Sequence, residues 1–193
     1  MFKRSMVREN VGMKNRNMKR MRSDAEYVFL NMVVNKIPCW KIRKKCYQLF
    51  GMRIGDGARI GVGTIIVNPK GICIGNRSIV NEFCHLDGRG GLKIGKDVSI
   101  SVYTTIITAG HEKNSDDFRF QSFKTKIGDN VWIGARAIIL ENSVIKDFAV
   151  IGAGCTFKGV AERKGIYIGA KKVCCGMRDG DKKYRIEYQP FFR

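Results

Sequence analysis

The side chains of this 193-residue chain best able to move a proton or hold a metal are two histidines, seventeen acidic residues and seven cysteines. His85 and His111 form no HxxxxH pair, so a zinc site built on three imidazoles lacks a ligand and no metal requirement is read. The cysteines, at 39, 46, 73, 84, 155, 174 and 175, make no CxxC pair and are odd in number. That argues against a closed disulfide set and for a reducing compartment. His111 differs from His85 in its setting, because it opens the hydrophilic stretch AGHEKNSDDFRFQSFKTK, residues 109–126. A loop histidine alone is an ordinary solvated side chain, but one long loop on a regular scaffold is where function concentrates.

The scaffold is legible as a rhythm. Aliphatic residues recur every six positions: Ile54, Ile60, Ile66; Ile74, Val80, Leu86; Ile94, Ile100, Ile106. The series resumes as Ile127, Ile133, Ile139 and then Ile145, Ile151, Phe157. Glycine follows the aliphatic at 55, 61, 75, 95, 128, 134 and 152, and modest side chains such as Ala58, Ser78, Cys84 and Cys155 fill the fifth slot. A period of six suits neither a helix nor a plain alternating strand; it suits a short strand and a tight turn, three to a coil. The spacing stretches after Ile66, after Leu86 and, by far the most, after Ile106. All three insertions therefore leave one corner of a triangular prism. The expected fold is an all-β solenoid of about five coils, roughly 24 Å long at the usual strand spacing.

Four segments follow: a basic flexible arm (1–22), a helical lead-in (23–53), the solenoid (54–168, with its 109–126 loop) and a tail (169–193). The net charge of +19 is concentrated at the front, where residues 1–53 carry 14 Lys/Arg against 3 Asp/Glu. Residues 54–170 carry 15 against 11, which weakens a nucleic-acid reading of the whole. Ser23-Asp24-Ala25-Glu26 has the form of a capping box at a helix start. A second helix, from about 39 to 50, is expected to group Ile42, Cys46, Leu49 and Phe50 on one side and its lysines on the other. Either its apolar side caps the first coil or its basic side rests on anionic headgroups, and the two can coexist because they use opposite faces. No signal peptide or membrane-spanning stretch is read, so a cytoplasmic protein is expected, with peripheral contact at the inner membrane face an option.

The repeats, the loop opening Gly110-His111, the run IGDNVWIGARAIIL (127–140) and AVIGAGC (149–155) together resemble the hexapeptide-repeat O-acetyltransferases. The pattern is most similar to the galactoside, maltose and polysaccharide branch. The resemblance covers roughly residues 38–170. It implies a left-handed parallel β-helix, a homotrimer with active sites between subunits, and direct transfer from acetyl-CoA to a hydroxyl. The acceptor it implies is a sugar or glycan, in bacterial surface polysaccharide biosynthesis. His111 then matches the general base, and Asp116, Asp117 or a main-chain carbonyl orients its ring. Asn81, in VNEFC, matches the residue that contacts the reacting hydroxyl, with Asp87 a further acceptor-pocket candidate. Trp132, Ala135 and Ala153 match positions that bind CoA, the Ala135 N–H serving as oxyanion donor. Asn81 and His111 fall at different corners, so they are expected to meet across a subunit interface.

The chain departs from the family where the CoA phosphates bind, with Glu141-Asn142 and Gly169-Ala170-Lys171-Lys172 in place of the usual turns. Lys158 and Lys172 are the candidate phosphate partners there. A serine O-acetyltransferase, an antibiotic O-acetyltransferase and a non-catalytic basic solenoid binding polyanion or membrane remain alternatives. The serine reading ranks lower because the long helical N-terminal domain of that group is not seen.

Overall fold

A computed structural model of the chain describes residues 18, 20–114, 116–169 and 174–177. Most of the 1–22 arm, Lys172 and the aromatic tail beyond 177 lie outside the described residues. The rest is a left-handed parallel β-helix of about six turns, preceded by helices. The six-residue aliphatics stack in register. In the first sheet Ile54 pairs with Ile74, Ile74 with Ile94, Ile94 with Ile127 and Ile127 with Ile145. In the second, Ile60, Val80, Ile100, Ile133, Ile151 and Tyr167 form the same kind of column. In the third, Ile66, Leu86, Ile106, Ile139 and Phe157 do so. All of these side chains are buried, so the core is three ladders of large apolar groups. Each contributes about 1.5–3 kcal/mol by leaving water.

Five turns are complete and a sixth has two strands, Val160–Ala161 and Gly165–Tyr167. Cys174–Met177 returns antiparallel on Gly165–Tyr167 and covers the end of the second sheet. Repeat glycines answer to close stacking between turns: a Cβ on Gly134 would lie 2.4 Å from the Ala153 nitrogen. The hydroxyls in the small inward slot satisfy turn carbonyls, as when Thr104 donates to Ser101 at 2.8 Å.

The three insertions leave the corner between the third and first sheets. The first holds a 3-10 turn, Pro69–Gly71. The longest is a two-stranded arm rather than an open loop, with Ala109–His111 antiparallel to Phe120–Ser122.

The lead-in corrects two sequence expectations. Helix already runs over residues 20–28 and continues through Phe29–Val33 and Val34–Lys36, so Ser23 lies inside it and caps nothing. In the second helix, Trp40–Leu49, the buried pair is Arg43 and Tyr47, while Ile42 and Leu49 are exposed. The physical reason is the open edge of the first turn, whose N–H and C=O groups need partners. Arg43 donates to the carbonyl of Ile60 at 2.7 Å. The Asn31 amide both donates to the Ile66 carbonyl at 2.9 Å and accepts from the Ile66 N–H at 2.8 Å. Polar side chains thus stand in for the missing strand.

Candidate active site

His111 ends the first strand of the arm and is exposed. Its Nδ1 lies 2.7 Å from the carbonyl oxygen of Phe118. A carbonyl only accepts, so Nδ1 carries a proton, and in the neutral ring the lone pair falls on Nε2. The ring stacks on Phe118, with centroids 3.8 Å apart and planes 12° apart, and meets the edge of Phe120 at 5.9 Å. The orienting group is therefore a main-chain carbonyl; Asp117 instead faces Arg119 at 3.7 Å. The cleft beside the arm holds about 420 Å³ and is lined by His111, Asn114, Gln121, Glu141, Asn142 and Lys158, among others. Lys158 is paired with Glu141, and that ammonium holds the Glu141 carboxyl below the usual range.

Asp87, expected at the acceptor pocket, is wholly buried. Its Oδ1 accepts from the Arg89 backbone and Nε, each at 2.9 Å, and its Oδ2 from Arg89 Nη2 and the Thr108 N–H, each at 3.0 Å. The Thr108 hydroxyl donates to the Asp87 carbonyl at 2.9 Å and accepts from Gly90 N–H at 2.9 Å. Burial pushes the Asp87 carboxyl up, but the Arg89 guanidinium and the Arg89 and Thr108 amides outweigh it and hold the group below its ordinary value. The Arg89 guanidinium also lies 5.8 Å from the centre of the Phe120 ring. Asp87 and Arg89 therefore hold the arm at its root and along its returning strand. His85, two residues before Asp87 on the third sheet, has its imidazole held below the usual value by burial. Among the described residues no group of three His, Cys, Asp or Glu side chains is placed to hold a metal.

Asn81, Trp132, Ala135 and Ala153 gather elsewhere, along the corner between the second and third sheets. Asn81 follows Ile79–Val80 and donates through Nδ2 to the Ile100 carbonyl at 2.9 Å. Trp132 is half exposed on the second sheet, its Nε1 3.4 Å from the Ser101 hydroxyl. Ala135 and Ala153 stack one turn apart, the Ala135 carbonyl accepting Gly154 N–H at 2.8 Å. Gly134 and Arg136 both donate their N–H groups to main-chain carbonyls. Among the described residues' hydrogen bonds, none is donated by the amide of Ala135 or Ala153. Small side chains and unpaired amides on an outer corner fit an extended, amide-bearing thioester arm. Lys158 belongs to the His111 corner and not to this one, and Lys172 lies outside the described residues.

One chain therefore brings His111 and Lys158 together, and separately Asn81, Trp132 and the two alanines. Sequence reasoning missed Arg89, Thr108 and Phe118, and also a ring column on the Asn81 corner. There Phe83 stacks on Tyr103 at 5.4 Å and Arg136 lies 5.6 Å from the Tyr103 centroid. The signal was present: 83, 103 and 136 fall at one turn position, each with positive φ (56°, 59° and 57°).

Residues 124–159 match the family model described as bacterial transferase hexapeptide (six repeats). A probable serine acetyltransferase 4 from Oryza sativa subsp. japonica is 34% identical over 107 residues, which cover 55% of this chain and 27% of that protein. The chain spans less than half the length of the curated relatives it matches. A galactoside acetyltransferase solved in complex with coenzyme A shares the fold with a TM-score of 0.72 at 22% identity, over 92% of this chain and 88% of that one. A maltose O-acetyltransferase from Clostridium difficile 630 does so with a TM-score of 0.70 at 22% identity, over 76% and 81%. Fold and repeat together define the class: a parallel β-helix of the kind these acetyltransferases share. Within that fold, residues 124–159 carry the hexapeptide repeat.

Proposed function

We propose that this chain is an acetyl-CoA-dependent O-acetyltransferase acting on a sugar hydroxyl, cytoplasmic and homotrimeric, and placed in surface polysaccharide biosynthesis. The observation that carries the reading is the His111 imidazole, whose Nδ1–H is committed to the Phe118 carbonyl and whose Nε2 is left as a base. His111 removes the acceptor proton as the hydroxyl oxygen adds to the thioester carbonyl. The Ala135 N–H donates to the oxyanion that forms. The C–S bond then breaks, and the imidazolium returns its proton to the departing sulfur. Because His111 and the Asn81–Ala135 corner lie on different edges of one prism, a neighbouring copy supplies the second half of each site. The Cys84 and Cys155 thiols are buried in inward slots, where a thiol packs as a small apolar group and suits a reducing compartment.

The serine acetyltransferase relative favours a second acceptor class, the hydroxyl of serine. Release of CoA from acetyl-CoA, measured with a panel of sugars, nucleotide sugars and L-serine, separates the two. Turnover with a sugar that is lost in His111→Ala, while acetyl-CoA still binds, is the expected result. Turnover with L-serine alone would replace the sugar reading, and no acetyl-CoA binding would leave the basic solenoid.

A further inference from the structure

The helices ahead of the first turn bury one side and leave the opposite side bare. Leu30 and Val34 face the solenoid and are buried with Asn31 and Asn35. Met21, Val28 and Met32 recur at helical intervals on the other side and are 69%, 54% and 58% exposed. Met18, Phe29 and Val33 widen the stripe and are exposed as well. In Trp40–Leu49 the outward pair is Ile42 and Leu49, about two helical turns apart, at 50% and 84% exposed. Phe29 meets Phe50 with ring centroids 5.9 Å apart, where the two helical segments touch. An apolar run of this extent is uncommon on a surface that meets only water.

The charge around it is mostly positive. Arg20, Arg22, Lys36, Lys41 and Lys45 are all exposed, and Asp24 and Glu26 are the only acids between residues 20 and 50. No helix among the described residues is long and apolar enough to cross a membrane. An aliphatic and aromatic stripe flanked by Lys and Arg is the chemistry that settles at a lipid interface, apolar groups among acyl chains and cations at headgroups. A second copy of this chain is a poor occupant, because packing stripe on stripe sets these cations against their own kind.

We propose that the outward face of the lead-in helices docks on an anionic lipid surface. The solenoid then stands on the membrane by its first turn. The His111 arm leaves two turns further along the axis, roughly 10 Å away at the usual strand spacing. The inference is independent of the acyl-transfer reading.

The test is cosedimentation of the full chain with vesicles of phosphatidylcholine alone and of phosphatidylcholine mixed with phosphatidylglycerol, with the native mass measured in parallel. The expected result is binding to the anionic vesicles that weakens as salt rises. Val28→Asp with Met32→Asp lowers partitioning by at least about tenfold through the apolar term, with the circular dichroism and thermal midpoint of the solenoid retained. Lys41→Glu with Lys45→Glu leaves the stripe intact and lowers binding to anionic vesicles only. Three results would overturn the proposal: no preference of the wild type for anionic vesicles, undiminished binding in both variants, or a smaller native oligomer in the Val28/Met32 variant. The last would assign the stripe to a second copy.

Discussion

The carboxylate of Asp87 accepts the backbone N–H of Thr108 at 3.0 Å, so a residue of the second turn fixes where the arm bearing His111 leaves the third. Asn removes the charge that Arg89 pairs with and offers a single acceptor oxygen where four hydrogen bonds now converge. Asp87→Asn is expected to destabilise the fold by about 1–3 kcal/mol, as loss of a buried charge-assisted network does. It is also expected to lower kcat more than it raises the KM for acetyl-CoA, since the base is displaced and the alanine corner is not. Thermal melts with steady-state kinetics check both.

The same group sets a pH dependence. The Asp87 carboxyl is held below its ordinary value in the folded state. Its contribution is therefore full above the unfolded carboxylate pKa, about 3.9, and is lost as pH falls through the lower folded value. The stability difference between wild type and Asp87→Asn should be flat through neutral pH and shrink in acid below about pH 4. Urea midpoints across that range measure it.

His111 is exposed and makes no core contact, so His111→Ala should fold normally. Its kcat should fall by about 10²–10⁴-fold, the usual worth of a positioned base. Circular dichroism with CoA-release assays separates loss of chemistry from loss of fold.

If each site takes His111 from one copy and Asn81 from the next, two inactive variants rescue each other. Coexpressed His111→Ala and Asn81→Ala chains should recover roughly a quarter of wild-type activity in mixed trimers. A single-chain site gives no recovery.

The alanine corner predicts a binding effect without a folding effect. Ala153 is exposed, so Ala153→Leu should leave the thermal midpoint unchanged and raise the KM for acetyl-CoA about tenfold by filling the thioester channel. By contrast, Ile100→Ala, at a fully buried site between Val80 and Ile133, should cost about 2–5 kcal/mol in a urea melt.

Sequence alone determined the solenoid. A core that takes one large side chain per face every six residues writes its period into the chain, and no tertiary contact is needed to read it. The insertions were assigned to one corner for the same reason, and the separation of Asn81 from His111 followed from counting faces. What the tertiary structure decided depends on partners far apart in the chain. Arg43 turned inward because the first turn's bare carbonyls demand donors, and that requirement sent Ile42 and Leu49 outward. Asp87 became the anchor of the arm because Thr108, twenty-one residues on, donates its N–H to the carboxylate. The tautomer of His111 was set by a carbonyl at Phe118, whose direction comes from the fold of the arm and not from the identity of that residue. Periodicity reports which side chains face the core; hydrogen bonds at edges and corners are made between turns, and only the stacked structure shows them.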